Sequence, residues 1–197
     1  KSTFALQFIG KYDGSYLGAT IEDDYTHHVV LDGKTVQLKI FDTSGTGEFK
    51  ICRLAAIPKG DVFILFYDIT DRISFEDVAN FYKEICDTLK KDKFPCVLCG
   101  NKCDLEDRRK VSTDDGKKLA NAINATFLEA SAEACIYVEL VFHAAIRKAW
   151  EMDPNIKKEK KKAPDGLMKI KNSVSLGDPT DLSSLSCAKS SFSKTKL

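Results

Sequence analysis

Histidine, the side chain that most often serves as a general base, is scarce in this 197-residue chain. It has three histidines, His27, His28 and His143. The first two lead into a short apolar run and the third sits beside Val141 and Phe142, so no Ser-His-Asp or Cys-His arrangement is supported by spacing. No stretch approaches the ~20 consecutive apolar residues needed to span a bilayer. No segment has the charged-then-apolar pattern of a secretory leader. The seven cysteines, at 52, 86, 96, 99, 103, 135 and 187, are odd in number and scattered. That excludes a disulfide framework and points to a reducing compartment. Cys96, Cys99 and Cys103 lie close in sequence but lack a fourth ligand nearby, and the first two fall in an apolar run that reads as a buried strand, so a metal cluster is set aside. There is no internal repeat.

Charge is nearly balanced at +1, but it is unevenly placed. Residues 154–197 carry ten lysines and four acidic residues, leaving 20 of the 30 basic and 25 of the 29 acidic residues in 1–153. The body is therefore at −5 and the end at +6. An acidic body argues against a nucleic-acid-binding domain, and a basic end suits contact with something anionic.

The hydrophobic pattern alternates between strand and helix periods. Residues 2–9 read as a helix, and 10–20, with Gly10, Gly14 and Gly18, as a loop. Residues 28–31 and 36–40 read as strands joined by Asp32-Gly33, a strong hairpin signal. Residues 62–67 (VFILFY) form a continuous apolar run suited to a strand buried on both faces. Residues 95–100 and 126–130 are further strands. Between them, Phe75, Val78, Tyr82, Ile85 and Leu89 recur at helical spacing. So do Leu119, Ala122 and Ile123, and again Val138, Val141, Phe142, Ala145, Ile146 and Ala149. The predicted architecture is α/β: a mostly parallel sheet with one antiparallel edge strand and helices on both faces. From Pro154 the pattern gives way to the lysine run at 157–162 and a serine-rich stretch, read as an unstructured tail over 154–197 behind a domain at 1–153.

Ligands bind parallel α/β sheets at the carboxyl ends of the strands, and the unusual clusters fall there. Asp42-Thr43-Ser44-Gly45 follows one strand, Asn101-Lys102-Cys103-Asp104 another, and Ser131-Ala132-Glu133 a third. Asp68 also ends a strand but has no neighbours of a recognised kind. With Thr20-Ile21-Glu22-Asp23-Asp24-Tyr25, these segments resemble, in order, the first switch, DTAG, NKxD and ETSAK motifs of Ras-family small GTPases, nearest the Ras and Rap branches. The resemblance covers residues 1 to about 151 and implies a P-loop GTPase fold binding GTP or GDP with Mg²⁺.

Carried over residue by residue, the resemblance implies the following roles. Asp104 accepts from the N1 and N2 donors of guanine. Adenine lacks that pair, and sites of this type discriminate by about 10⁴-fold. Asn101 ties neighbouring loops, the Lys102 stem lies over the base, and backbone donors at Ser131 and Ala132 face its O6. Asp42, Ser2 and Thr20 hold Mg²⁺, which keeps several waters and is bound by few protein groups plus phosphates. Lys1 reaches the β- and γ-phosphates; Gly45 and Thr20 offer N–H groups to the γ-phosphate. Ile21, Glu22, Asp23 and Tyr25 form the effector surface. Lys1-Ser2 matches the last two residues of GxxxxGK[ST], 19 residues before Thr20 and 41 before Asp42. The glycines and strand that precede that pair in the family are not in the sequence, so the expectation is of a domain incomplete at its N-terminus.

Other departures matter. Thr46 stands where most Ras proteins have the water-orienting Gln, as in Rap proteins, and implies slow hydrolysis that depends on an activating protein. Gly18-Ala19 replaces Asp-Pro. An ungapped alignment puts Asp13 where the family has an aromatic beside guanine, and Tyr12 serves with a one-residue shift. Glu133 replaces a Lys. Expected partners are exchange factors, GTPase-activating proteins and effectors, with no nucleic acid. The lysine-rich end allows weak contact with anionic membrane, without a CaaX box, which implies a cytoplasmic protein peripheral at the inner face of the plasma membrane. Two other readings stand beside this one: a non-hydrolysing interaction protein on a degraded GTPase scaffold, and a small-molecule kinase, for which residues 101–104 would have no purpose.

Overall fold

The computed structural model describes residues 1–15, 22–158 and 167–173. The elements run α1 (Ser2–Phe8), β1 (Glu22–Leu31), β2 (Lys34–Thr43), α2 (Lys50–Ala56), β3 (Val62–Asp68), α3 (Arg72–Leu89), β4 (Cys96–Asn101), α4 (Thr113–Ala122), β5 (Thr126–Ala130), α5 (Val138–Met152), α6 (Pro154–Lys158) and β6 (Leu167–Ser173). One six-stranded sheet has the order β1-β2-β6-β3-β4-β5. Only β1 is antiparallel to its neighbour, as expected for the edge.

Period-2 alternation in the central strands sorts their side chains onto two faces. Val62, Ile64 and Phe66 of β3, with Val97 and Cys99 of β4, pack under α1 and α5 against Phe4, Val141, Phe142 and Ile146. Phe63, Leu65 and Tyr67, with Cys96 and Leu98, pack on the other face against Phe75, Val78, Tyr82 and Ile85 of α3 and Ala120 of α4. Phe8 stacks on Phe142 with centroids 3.9 Å apart, tying α1 to α5. Two helices begin at side-chain caps: Asp71 accepts from the Ile73 N–H at 3.1 Å and Ser112 from the Asp115 N–H at 3.0 Å. No helix among the described residues is long and apolar enough to cross a membrane.

The reading of 154–197 as wholly unstructured is corrected at two places. Residues 154–158 form α6, and Leu167–Ser173 form β6, paired parallel to both β2 and β3. The physical reason is backbone hydrogen bonding. β2 and β3 do not pair with each other, and their buried N–H and C=O groups need a partner strand between them. A stretch whose composition favours disorder on its own is ordered by that demand. The rest of 154–197 lies outside the described residues.

Candidate functional site

β2, β3, β4 and β5 all end at the same edge of the sheet, and the candidate residues gather there. Asp42, next to last in β2, is fully buried. Neither of its carboxylate oxygens accepts a hydrogen bond of standard geometry. Burial raises its proton affinity, offset in part by the adjacent Ser2 hydroxyl and the charge at Lys1. The Lys1 ammonium donates to the Thr43 carbonyl, and burial lowers its pKa to about 8. A buried carboxylate without a full partner, beside a serine hydroxyl, is an oxygen donor set that suits a hard divalent cation. Asp42 and Ser2 therefore fit Mg²⁺. Thr20 and Ile21, assigned from sequence to the metal, the γ-phosphate and the effector surface, lie outside the described residues.

The loop after β2 is held from beneath. Arg53 of α2 is buried, and its guanidinium donates to the carbonyls of Ser44 (3.0 Å) and Thr46 (3.2 Å), bracketing Gly45. Its other nitrogens bind both oxygens of Glu84 on α3, at 2.9 and 3.2 Å. The Thr46 hydroxyl lies 3.1 Å from the Ser44 hydroxyl, and the Thr46 N–H donates to that same oxygen at 3.3 Å. Thr46 is thus folded back on its own loop. Sequence reading missed Arg53 and Glu84, because a charged residue facing inward from a short helix breaks the amphipathic pattern.

The loops after β4 and β5 are joined by hydrogen bonds. The Ala132 N–H donates to Asn101 Oδ1 at 3.1 Å, and the Cys103 N–H to the Ala130 carbonyl at 3.1 Å. Ser131 is fully buried, and its hydroxyl accepts from the Ala134 N–H at 3.1 Å. Gln7 of α1, another residue missed from sequence, donates to the Ala132 carbonyl at 3.0 Å. Lys102 has a left-handed backbone (φ +66°), and Asp104 is exposed. The Ala132 N–H, expected to face guanine O6, is here engaged by Asn101.

Tyr12 and Asp13 are told apart by their partners. Asp13 Oδ1 accepts from the Ser15 N–H (2.9 Å) and hydroxyl (2.5 Å), a local turn. The Tyr12 hydroxyl reaches across to Glu133 Oε2 at 3.1 Å. Tyr12, not Asp13, therefore sits against the 131–133 loop. At the sheet edge Glu22 and Asp23 are exposed, Asp24 pairs with Lys39, and the Tyr25 hydroxyl donates to Asp23 Oδ2 at 3.4 Å. Partial burial and then the Asp23 charge push the Tyr25 hydroxyl up to about 12.

Comparison with known proteins identifies the family of the domain. The model of the Ras family matches residues 1–151. Ras-like protein 1 of Saccharomyces cerevisiae is 41% identical over 147 residues, 75% of this chain and 48% of that protein. Ras-like protein rasZ of Dictyostelium discoideum is 34% identical over 174 residues, 88% of this chain and 81% of that protein. Ras-like protein RAS2 of Hydra vulgaris is 38% identical over 165 residues, 81% and 86% of the two chains. The chain spans about half the length of the yeast relative and over four-fifths of the other two.

Proposed function

The chain belongs to the Ras family, and from that premise we propose that it is a guanine-nucleotide switch of signal transduction, a small GTPase that hydrolyses GTP slowly. The observation that carries the base assignment is the junction of the two loops at the ends of β4 and β5. Asn101 binds the Ala132 backbone at 3.1 Å while the Asp104 carboxylate stays open to solvent. A carboxylate held there accepts from the two adjacent donors of guanine, and adenine in its place would leave that acceptor unpaired.

On the phosphate side, Ser2, Asp42 and Thr20 would hold Mg²⁺, which when bound neutralises phosphate charge. Lys1 brings a cation to the same place. Burial disfavours its charge, and a bound polyphosphate would favour it. Gly45, between two carbonyls bound by Arg53, would offer its N–H to a γ-phosphate. Loss of that phosphate would release the 44–46 and Thr20 segments, an order-disorder switch. Ile21, together with Glu22, Asp23 and Tyr25 of the edge strand β1, would then cease to present one effector surface. Thr46, short and turned toward Ser44, cannot hold an attacking water as a glutamine does, which supports slow hydrolysis and dependence on an activating protein. The same observation favours a second reading, a nucleotide-binding interaction protein that does not hydrolyse GTP. Exchange factors, effectors and a weak membrane contact through the lysine-rich end complete the proposal.

The base assignment is tested by Asp104→Asn, which presents an amide donor where the carboxylate accepts. Binding is expected to shift from GDP toward xanthosine diphosphate, whose C2 carbonyl accepts that bond. Unchanged GDP affinity in the variant would reject the assignment.

A further inference from the structure

Lys102 is the cation in the base-reading loop, and its ammonium is not free. It lies 2.6 Å from Asp68 Oδ2. Asp68 ends β3 and Asn101 ends β4; the two are register partners, and the Ile69 N–H continues the ladder to the Asn101 carbonyl at 3.1 Å. The carboxylate is pinned independently of Lys102. Its Oδ1 accepts from the Thr70 N–H at 2.8 Å and the Thr70 hydroxyl at 2.7 Å. Its own N–H donates to the Ser74 hydroxyl at 2.9 Å, which in turn donates to the Asp71 carbonyl at 2.8 Å. The Asp68 side chain is 22% exposed and that of Lys102 is 48% exposed. The acid is therefore the fixed partner and the lysine the one being placed. Burial alone would raise the proton affinity of Asp68, but the bonds from Lys102 and Thr70 outweigh it and hold the carboxyl below its ordinary range.

Asp104 stands two residues beyond Lys102 in the same loop. Without Asp68, Lys102 would be free to pair with that carboxylate two residues away, and such pairing would block the acceptor that reads the base. We propose that Asp68 is a positioning residue for nucleotide recognition: it sequesters the Lys102 ammonium, keeping the stem over the base and leaving Asp104 open. The proposal rests on the guanine reading given above. It also explains why a carboxylate whose sequence neighbours gave it no purpose is so heavily tied. The cost of a non-glycine left-handed backbone at Lys102 is consistent with a side chain that must be held in one place.

The test is a double-mutant cycle on release of fluorescent GDP from the full-length protein. Asp68→Asn keeps the shape and an oxygen for Thr70 while removing the charge; Asp68→Ala removes both. Asp68→Asn is expected to speed release about fivefold, the scale of a half-exposed ion pair, with no further acceleration when Lys102 is already Ala. Thermal unfolding of Asp68→Asn close to wild type shows that the fold is kept. Wild-type protein that retains GDP while Asp68→Asn releases it at the same rate would overturn this proposal alone. Equal acceleration in the Lys102→Ala background would also overturn it, because Asp68 would then act by another route. A folded wild type that fails to bind GDP would overturn the guanine reading, and this inference with it.

Discussion

Single residues decide how much chemistry the site can do. Asp42 is the clearest: buried, without a full hydrogen-bond partner, and beside Ser2 and Lys1. Its place at the end of a strand was legible because Asp-Thr-Ser-Gly is an unusual string there. Asp68 was visible at its strand end, but its partner was not. Lys102 is 34 positions away in sequence, and only the β3–β4 register brings the two together. Thr46 was legible as a departure, and its bonding to Ser44 supports the proposal of slow hydrolysis. Thr46→Gln restores a longer amide that reaches past that contact. It is expected to raise single-turnover GTP hydrolysis by about tenfold or more, since one group that orients a reacting water contributes at least that. An unchanged rate would separate Thr46 from the slow step.

Elements show where periodicity reads truly and where it fails. The hairpin at Asp32-Gly33 was legible because a two-residue turn needs positive φ at both positions, and these are +50° and +71°. The long α3 and α5 declared themselves through apolar spacing. α2 did not: Ile51 is 81% exposed while Arg53 is buried, the reverse of an amphipathic helix, because Arg53 is needed beneath the 44–46 loop. β6 was hidden for another reason. Its support comes from ladders on both sides, at residues 37–42 and 62–65, and no local property of residues 167–173 encodes that. A protein truncated after Lys158 loses the strand between β2 and β3. Its thermal midpoint is expected to fall by at least about 10 °C, the scale of several kcal/mol in a chain of this length. An unaltered midpoint would show that another stretch of the protein pairs β2 with β3.

At the scale of the whole molecule, the sheet gathers groups distant in sequence along one edge. Lys1 and Asp42 meet at the end of β2, and the 101–104 and 131–133 loops at the ends of β4 and β5. The acidic body carries the candidate site, and the basic end supplies β6, the strand that completes the body's sheet. The two loops joined by Asn101 and Ala132 are proposed to read guanine. The most direct measurement is competition of GDP and ADP for the full-length protein in Mg²⁺. The account predicts that GDP displaces fluorescent GDP while ADP is weaker by about 10⁴-fold, because adenine leaves the Asp104 acceptor unpaired. Equal competition by ADP, or no GDP binding by protein shown to be folded, would contradict it.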